Sequence, residues 1–286
     1  MSNLKLGVIG GSGLYEMEGL KKVEKHTVAT PFGEPSSDYI SGEVENGVRI
    51  YFLARHGIGH RYLPGEINYR ANIYGFKKLG VEWILSVSAV GSMKEEIQPG
   101  SMVIPDQFID LTKGRTSTFF GNGIVAHVPF GDPVCKVLWK KVAECSSQAG
   151  AKTHVGGTYV CMEGPQFSSR AESFFYRSLK VSVIGMTNLP EAKLAREAEI
   201  SYATLALATD YDCWHQTEEA VQADTVVEVM KKNVVTARKI VQEVALHMPT
   251  ELCPWRGMLK NAIVTDHKVI PPATKERLEL LIGKYL

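Results

Sequence analysis

The stretch that most constrains this chain is Tyr202–Thr209, reading Tyr-Ala-Thr-Leu-Ala-Leu-Ala-Thr. It is apolar without alternation, so a strand made of it is buried on both faces. Such a strand needs a layer of helices on each side of its sheet. The rest of the sequence can supply both sheet and helices. Lys5–Ile9, Trp83–Ser88, Ser101–Ile104, Thr158–Met162 and Val181–Met186 read as further strands. Asp38–Val44 and Val48–Ala54 flank Glu45-Asn46-Gly47, and an Asn-Gly pair between β-rich runs signals a hairpin. Helices are expected over Glu66–Leu79, Pro133–Ala149, Ser168–Leu179, Leu189–Ala198 and about Asp224–His247. In the last, Val226, Met230, Val234, Ala237, Val241 and Val244 recur at helical spacing. Alternating strands and helices define an α/β protein. Thr112–Pro133 is long for a plain connection and reads as a functional loop. Residues 249–286 open with prolines and end in a short helical stretch, Lys275–Leu281. With no repeat or linker, the expectation is one domain over 1–286 with 249–286 as a C-terminal appendage.

Lys and Arg number 32 and Asp and Glu 31, a formal charge of +1, so nothing drives the chain as a whole toward nucleic acid or acidic membrane. No apolar run nears the ~18 residues that span a bilayer. The first strand begins almost at once, with no secretory pattern before it, which points to the cytoplasm. Cysteines at 135, 145, 161, 213 and 253 form no Cys-x-x-Cys pair, so buried free thiols are expected rather than a zinc or redox site.

Five segments could carry chemistry. Gly10-Gly11-Ser12-Gly13 follows the first strand and could offer backbone N–H groups to an anion, or be a tight turn. It is neither a dinucleotide fingerprint nor a P-loop. Arg55-His56-Gly57 ends another strand, where α/β folds bind ligands, and an Arg fork matches phosphate. Ser86-Val87-Ser88-Ala89-Val90-Gly91-Ser92 places small hydroxyl residues at a third strand end. Each is unremarkable alone; together they suggest convergence on one phosphate. Asp210 and Asp212 close the apolar strand one residue apart, so strand geometry would point both the same way. They could act as acids or hold a metal, although no third carboxylate lies near in sequence. Glu163-Gly164-Pro165-Gln166-Phe167 precedes a helix capped by Ser168, and Phe167 could stack on a planar base.

Taken together, these segments resemble the 5′-methylthioadenosine phosphorylases of the trimeric purine nucleoside phosphorylase group. Thr30-Pro31-Phe32-Gly33, Glu95–Gly100, Asp106–Asp110 and Ala208–Trp214 add to the likeness, which runs from about residue 7 to about residue 245. The resemblance implies a single α/β domain around a mixed, distorted sheet flanked by helices, assembled as a trimer or dimer of trimers. It implies phosphate attack on C1′ of 5′-methylthioadenosine, releasing adenine and 5-methylthioribose 1-phosphate for methionine and purine salvage. No metal or organic cofactor is implied. By position, Ser12, Arg55, His56, Ser88, Ala89 and Thr187 match phosphate contacts. Phe167 and Met186 match base and ribose contacts, and Val226 a wall of the 5′ pocket. Asp210 and Asp212 match the acids facing the purine N7 and 6-amino group. His127 matches a histidine lent by a neighbouring subunit.

Ser12 and Ser88 stand where relatives often carry Thr, and Ala223 where Val is common. The rival readings are a purine nucleoside or 5′-methylthioinosine phosphorylase of the same fold, a hydrolytic nucleosidase, and a non-catalytic nucleotide sensor. Asp210 favours a 6-aminopurine, because a carboxyl can accept from the amine and donate to N7.

Overall fold

The computed structural model describes residues 4–15, 17, 19–215 and 223–286, without the side chains of 12, 15 and 223–227. In chain order the elements are β1 (Lys5–Gly10), β2 (Lys21–His26), β3 (Tyr39–Glu43), β4 (Arg49–Ala54), α1 (Tyr69–Lys78) and β5 (Trp83–Ser92). Next come β6 (Met102–Ile104), β7 (Gln107–Leu111), α2 (Lys136–Gln148), β8 (Thr153–Val155), β9 (Thr158–Met162) and α3 (Arg170–Ser178). The chain ends with β10 (Val183–Gly185), α4 (Asn188–Glu197), β11 (Ser201–Asp210), α5 (Ala223–Leu246) and α6 (Pro272–Ile282).

The strands form one mixed sheet, ordered β2-β3-β4-β1-β5-β10-β9-β7, with β11 on the other edge of β5 and β6 and β8 beyond it. Every residue of β11 except Asp210 is buried. The strand packs against α2 and α5, which touch each other, and against α4, which touches α1. This is the two-sided cover that its composition demands.

The feature that positions the site is a fork at β5. From Trp83 to Ser86 one edge of β5 pairs in parallel with β1. At Gly91 and Ser92 that edge pairs antiparallel with β10 instead. On the opposite edge β11 runs parallel along the whole of β5, with an irregularity between Ala208 and Asp210. Val87–Val90 therefore lie where β1 has left and β10 has not begun, and the sheet opens there.

Local chemistry explains most boundaries. Gly47 takes a left-handed φ of 86° in the β3–β4 hairpin. Asn46 also donates from Nδ2 to Leu246 O at 2.9 Å, tying the hairpin to the end of α5. α1 starts later than expected because Asn68 caps it, accepting from Ala71 N. α3 likewise starts after Ser169, not Ser168, through a capping box with Glu172. Residues 249–286 wrap back onto the body: Ala126 bridges Ile263, and Cys253, Trp255, Leu259, Ile270, Leu278 and Leu281 join the main core. The cysteines are free and buried, except that Cys213 is half-buried.

Candidate active site

The parallel strands β1, β4, β5 and β11 deliver their carboxyl ends to the region around the fork. β1 ends at Gly10, where a Cβ would collide with Leu14 and stand 3.2 Å from Val87 O, so glycine is needed for this close approach. The turn Ser12–Tyr15 follows. The Ser12 side chain, expected at the phosphate, lies outside the described residues, as does that of Val226 in the first turn of α5.

Arg55 leaves β4 and turns inward. Its Nε donates to Glu191 Oε2 at 2.8 Å, and Nη2 to Glu191 Oε1 at 2.9 Å and Ser86 Oγ at 2.6 Å. Nη1 donates to Val87 O at 2.9 Å, and Nη2 also approaches Ile9 O at 3.3 Å. The guanidinium thus fills the crotch of the fork and meets carbonyls from both diverging strands. This corrects the expectation of an Arg fork presented whole to phosphate: of five N–H groups, one on Nη1 is left for anything else. Burial works against the charge, and the adjoining Glu191 carboxylate more than offsets it, so the guanidinium pKa lies above its ordinary value. Glu191 also accepts from Ser86 Oγ at 2.8 Å and Tyr202 OH at 2.9 Å.

His56 stacks on His60 with ring centroids 4.0 Å apart. Its Nδ1 lies 2.9 Å from Tyr62 O, and because a carbonyl only accepts, Nδ1 carries the proton. Burial lowers its pKa to about 4, so the ring is neutral and Nε2 is an acceptor. With Nδ1 held at Tyr62 O, the neutral ring leaves Nε2 free to accept a hydrogen bond.

Ser88, in the open part of the fork, donates from Oγ to Asn188 Oδ1 at 3.2 Å. Asn188 follows Thr187, and both lie buried at the start of α4. Ala89, beside Ser88, is partly exposed. Just before Thr187, Met186 packs on Gly164, whose φ is 68° and whose Cβ, if present, would sit 2.5 Å from Met186 Sδ. Phe167, 48% exposed, stands three residues further along this loop.

Asp210 ends β11. Its Oδ2 accepts from Thr209 Oγ1 at 2.7 Å, and its Oδ1 accepts from Asp212 N at 2.7 Å. That second bond closes a turn in which Asp212 takes a left-handed φ of 53°. The strand is over by then, so the expected same-face pairing of the two acids does not form. Asp212 instead sits in the short turn Asp212–Trp214, accepting from Ser173 Oγ of α3 at 2.6 Å. Burial raises the Asp212 pKa above the ordinary carboxylate value, against hydroxyls that favour the ion. Gly91 of β5 touches both acids, since a Cβ there would stand 3.0 Å from Asp210 Oδ1 and 3.4 Å from Asp212 Cβ.

The fork thus gathers Arg55, Ser88, Thr187, Met186, Asp210 and Asp212. His127 is not drawn in: it is exposed, and its backbone N–H donates to Ala262 O of the C-terminal segment at 2.9 Å. Sequence reasoning missed Glu191 and Arg115. Arg115 has a buried side chain and joins the Glu163 and Met186 segments, donating to Glu163 Oε1 at 2.9 Å and to the carbonyls of Met186 and Glu163 at 2.6 Å each. Glu191, an acid within an otherwise apolar helix start, carried a signal; Arg115 did not.

Among the described residues no group of three His, Cys, Asp or Glu is placed to hold a metal, and no helix is long and apolar enough to cross a membrane. A cleft of about 480 Å³ lined by Lys5, Lys22, Glu24, His26, Glu43 and Arg49 lies at the opposite, starting ends of β1 and β4. Its cations are already engaged: Lys22 with Glu43, Arg49 with Glu24 and Lys5 with Leu79 O.

Residues 5–245 match the sequence pattern of the phosphorylase superfamily. A Geobacter sulfurreducens protein named S-methyl-5′-thioadenosine phosphorylase is 59% identical over 283 residues, 98% of this chain and 99% of that one. A solved methylthioadenosine phosphorylase from an antarctic soil metagenomic library superposes with TM-score 0.91 at 49% identity, over 98% of this chain and 99% of that one. Methylthioadenosine phosphorylase from Schistosoma mansoni, solved in complex with adenine, gives TM-score 0.83 at 34% identity over 98% of each chain.

Proposed function

The chain belongs to the phosphorylase superfamily, among the S-methyl-5′-thioadenosine phosphorylases, and from that premise we propose that it catalyses phosphorolysis of 5′-methylthioadenosine. The observation that supports this reading is the fork at β5, where Ser88 lies in the opened stretch and Gly91, three residues on, touches both Asp210 and Asp212. Phosphate forms a bond to C1′ as the C1′–N9 bond breaks, and the electron pair leaves with the purine. A proton from the acid pair goes to N7, so adenine departs neutral and the pair is reprotonated from solvent. The other product is 5-methylthioribose 1-phosphate.

In this reading Ser12, Ser88, Ala89 and Thr187 hold phosphate, and Arg55 adds its fixed charge and its remaining N–H. His56 accepts a hydrogen bond from a phosphate or ribose hydroxyl. Phe167 and Met186 contact base and ribose, and Val226 the 5′ substituent. Asp210, which already accepts two hydrogen bonds, accepts from the 6-amino group. Asp212, whose carboxyl burial holds above its ordinary pKa, is the member of the pair better suited to carry a proton.

His127 makes sense in this scheme only if it serves a neighbouring copy, and a trimer or dimer of trimers would bring one. The exposed Phe174 and Phe175 on α3, with Leu179 just after it, offer an apolar face for such a contact. A cytoplasmic enzyme of one domain, its appendage 249–286 braced against the His127 loop, completes the reading.

The test is a panel of 5′-methylthioadenosine, adenosine, 5′-methylthioinosine and inosine, with and without phosphate, reading released base. Phosphate-dependent release of adenine, fastest from 5′-methylthioadenosine, is expected. Release without phosphate would make the protein a hydrolase. Preference for 5′-methylthioinosine would overturn the role given to Asp210.

A further inference from the structure

Tyr159 lies on β9 in parallel register with Val183 of β10. Its ring runs beneath Gly185, where any Cβ would collide with the Tyr159 hydroxyl. β10 therefore keeps a glycine at that position to admit a phenol tip. The tip is fully buried, and its oxygen has no hydrogen-bond partner. Phenylalanine would fill the same space without stranding a polar atom, so the hydroxyl costs stability for no visible structural return.

What surrounds the hydroxyl is informative. Its polar neighbours are the Ser88 side chain and the Thr187 backbone, one from β5 and one from the entrance to α4. Both belong to the proposed phosphate side. Ser88 has a single hydroxyl proton, which it now directs to Asn188 Oδ1 over a long 3.2 Å. An incoming phosphate presents acceptors and needs that proton. Asn188 is separately anchored, donating from Nδ2 to Thr204 Oγ1. Losing the Ser88 bond would therefore not release it.

We propose that Tyr159 is a positioning residue for phosphate: its hydroxyl donates to Ser88 Oγ and turns the Ser88 proton toward the anion. The hydrogen-bond chain Tyr159–Ser88–phosphate is completed only when phosphate arrives, and each bond in such a chain strengthens the next. The hydroxyl without a partner in the free protein is then the reserve that binding uses. The inference rests on the reading of Ser88 as a phosphate ligand.

The experiment compares Tyr159→Phe, Ser88→Ala and the double variant by steady-state kinetics, varying phosphate and nucleoside separately, together with thermal melts. For Tyr159→Phe we expect a Tm equal to or above wild type, nucleoside KM within about twofold, and phosphate KM raised roughly threefold to tenfold, the range one neutral hydrogen bond supplies. In the Ser88→Ala background the same change should add nothing. If Ser88→Ala raises phosphate KM while Tyr159→Phe does not, the Ser88 reading stands and this proposal falls. If Ser88→Ala leaves phosphate KM unchanged, the reading of Ser88 itself is wrong and the proposal goes with it. A Tyr159→Phe protein with lowered Tm and both KM values raised together would show a purely structural tyrosine and equally overturn the proposal.

Discussion

Arg55 and Asp212 are both ionisable groups taken out of water, and the fold treats them in opposite ways. Arg55 is 2% exposed and faces a fully buried Glu191 across two hydrogen bonds, with Ser86 and Tyr202 also donating to Glu191 Oε1. Asp212 is 7% exposed and is met by the hydroxyl of Ser173. The first arrangement locks its charges, because removing either proton or partner strands the other. The second leaves a carboxyl that burial has already pushed toward its neutral form. A locked pair makes a frame and a loosened acid makes chemistry. In the proposed reading, the phosphate side of the site rests on the former and the purine side on the latter.

The largest effect should come from breaking the frame. Glu191→Gln leaves Arg55 buried without its counter-charge, a change that costs about 3–5 kcal/mol. A fall in Tm on the order of 10 °C is expected by differential scanning calorimetry. A variant melting with wild type would mean that Arg55 is not locked, and the contrast with Asp212 would collapse.

The same helix offers a second, somewhat smaller test. Glu197, near the end of α4, is buried but faces no cation in its bonds: it accepts from Phe119 N and Thr118 Oγ1, each at 2.7 Å. Burial raises its pKa to about 7, with both hydrogen bonds opposing the shift. A carboxyl whose folded pKa lies above its unfolded value stabilises the fold most when protonated. That contribution is intact below the unfolded value and is lost as pH rises to about 7. The loss amounts to about 3 kcal/mol. Glu197→Gln should therefore gain stability relative to wild type as urea melts move from acidic toward neutral pH. Parallel profiles for the two proteins would show that Glu197 is held as firmly as Glu191.

On the purine side, Asp210→Asn replaces an acceptor with an amide that can donate to a 6-oxopurine. The ratio of inosine-type to adenosine-type turnover should rise about tenfold to a hundredfold, the worth of one buried polar mismatch. An unchanged ratio, measured as kcat/KM on paired nucleosides, would move base choice to Asp212. The smallest expected signal concerns His127. If the protein assembles as proposed, mixed oligomers of Asp210→Asn and His127→Ala subunits should recover a fraction of the 5′-methylthioadenosine activity that each variant lacks. No recovery after verified subunit exchange would return His127 to a role within its own chain.

Much of the fold was legible from local chemistry. β1, β4, β5, β9 and β11 follow apolar runs, and the β3–β4 hairpin follows Asn46-Gly47. β2 was not legible. Lys21-Lys22-Val23-Glu24-Lys25-His26 has no apolar face, and it is a strand because β3 offers it an edge to pair with. The short β7 and β8 owe their existence to neighbours in the same way. At the site, residue types and most strand ends could be read, except that Ser86 and Ser88 lie within β5, which runs on to Ser92, and their bonding could not be read. Arg55 looked like a phosphate fork because nothing near it in sequence competes for it; Glu191 lies 136 positions away.

The sequence alone determined that a doubly covered β11 must run through the middle of an α/β body, and that hydroxyls, an arginine and a pair of acids stand at the ends of its strands. Burial patterns and turn chemistry act over a few residues, so a linear reading can reach them. The tertiary structure decided that β5 forks, that Arg55 fills the fork, that Asp212 leaves the strand in a left-handed turn, and that Tyr159 buries an unpaired hydroxyl beneath Gly185. Each of these is a competition among distant groups for the same buried hydrogen bonds, and its winner is set when the elements pack.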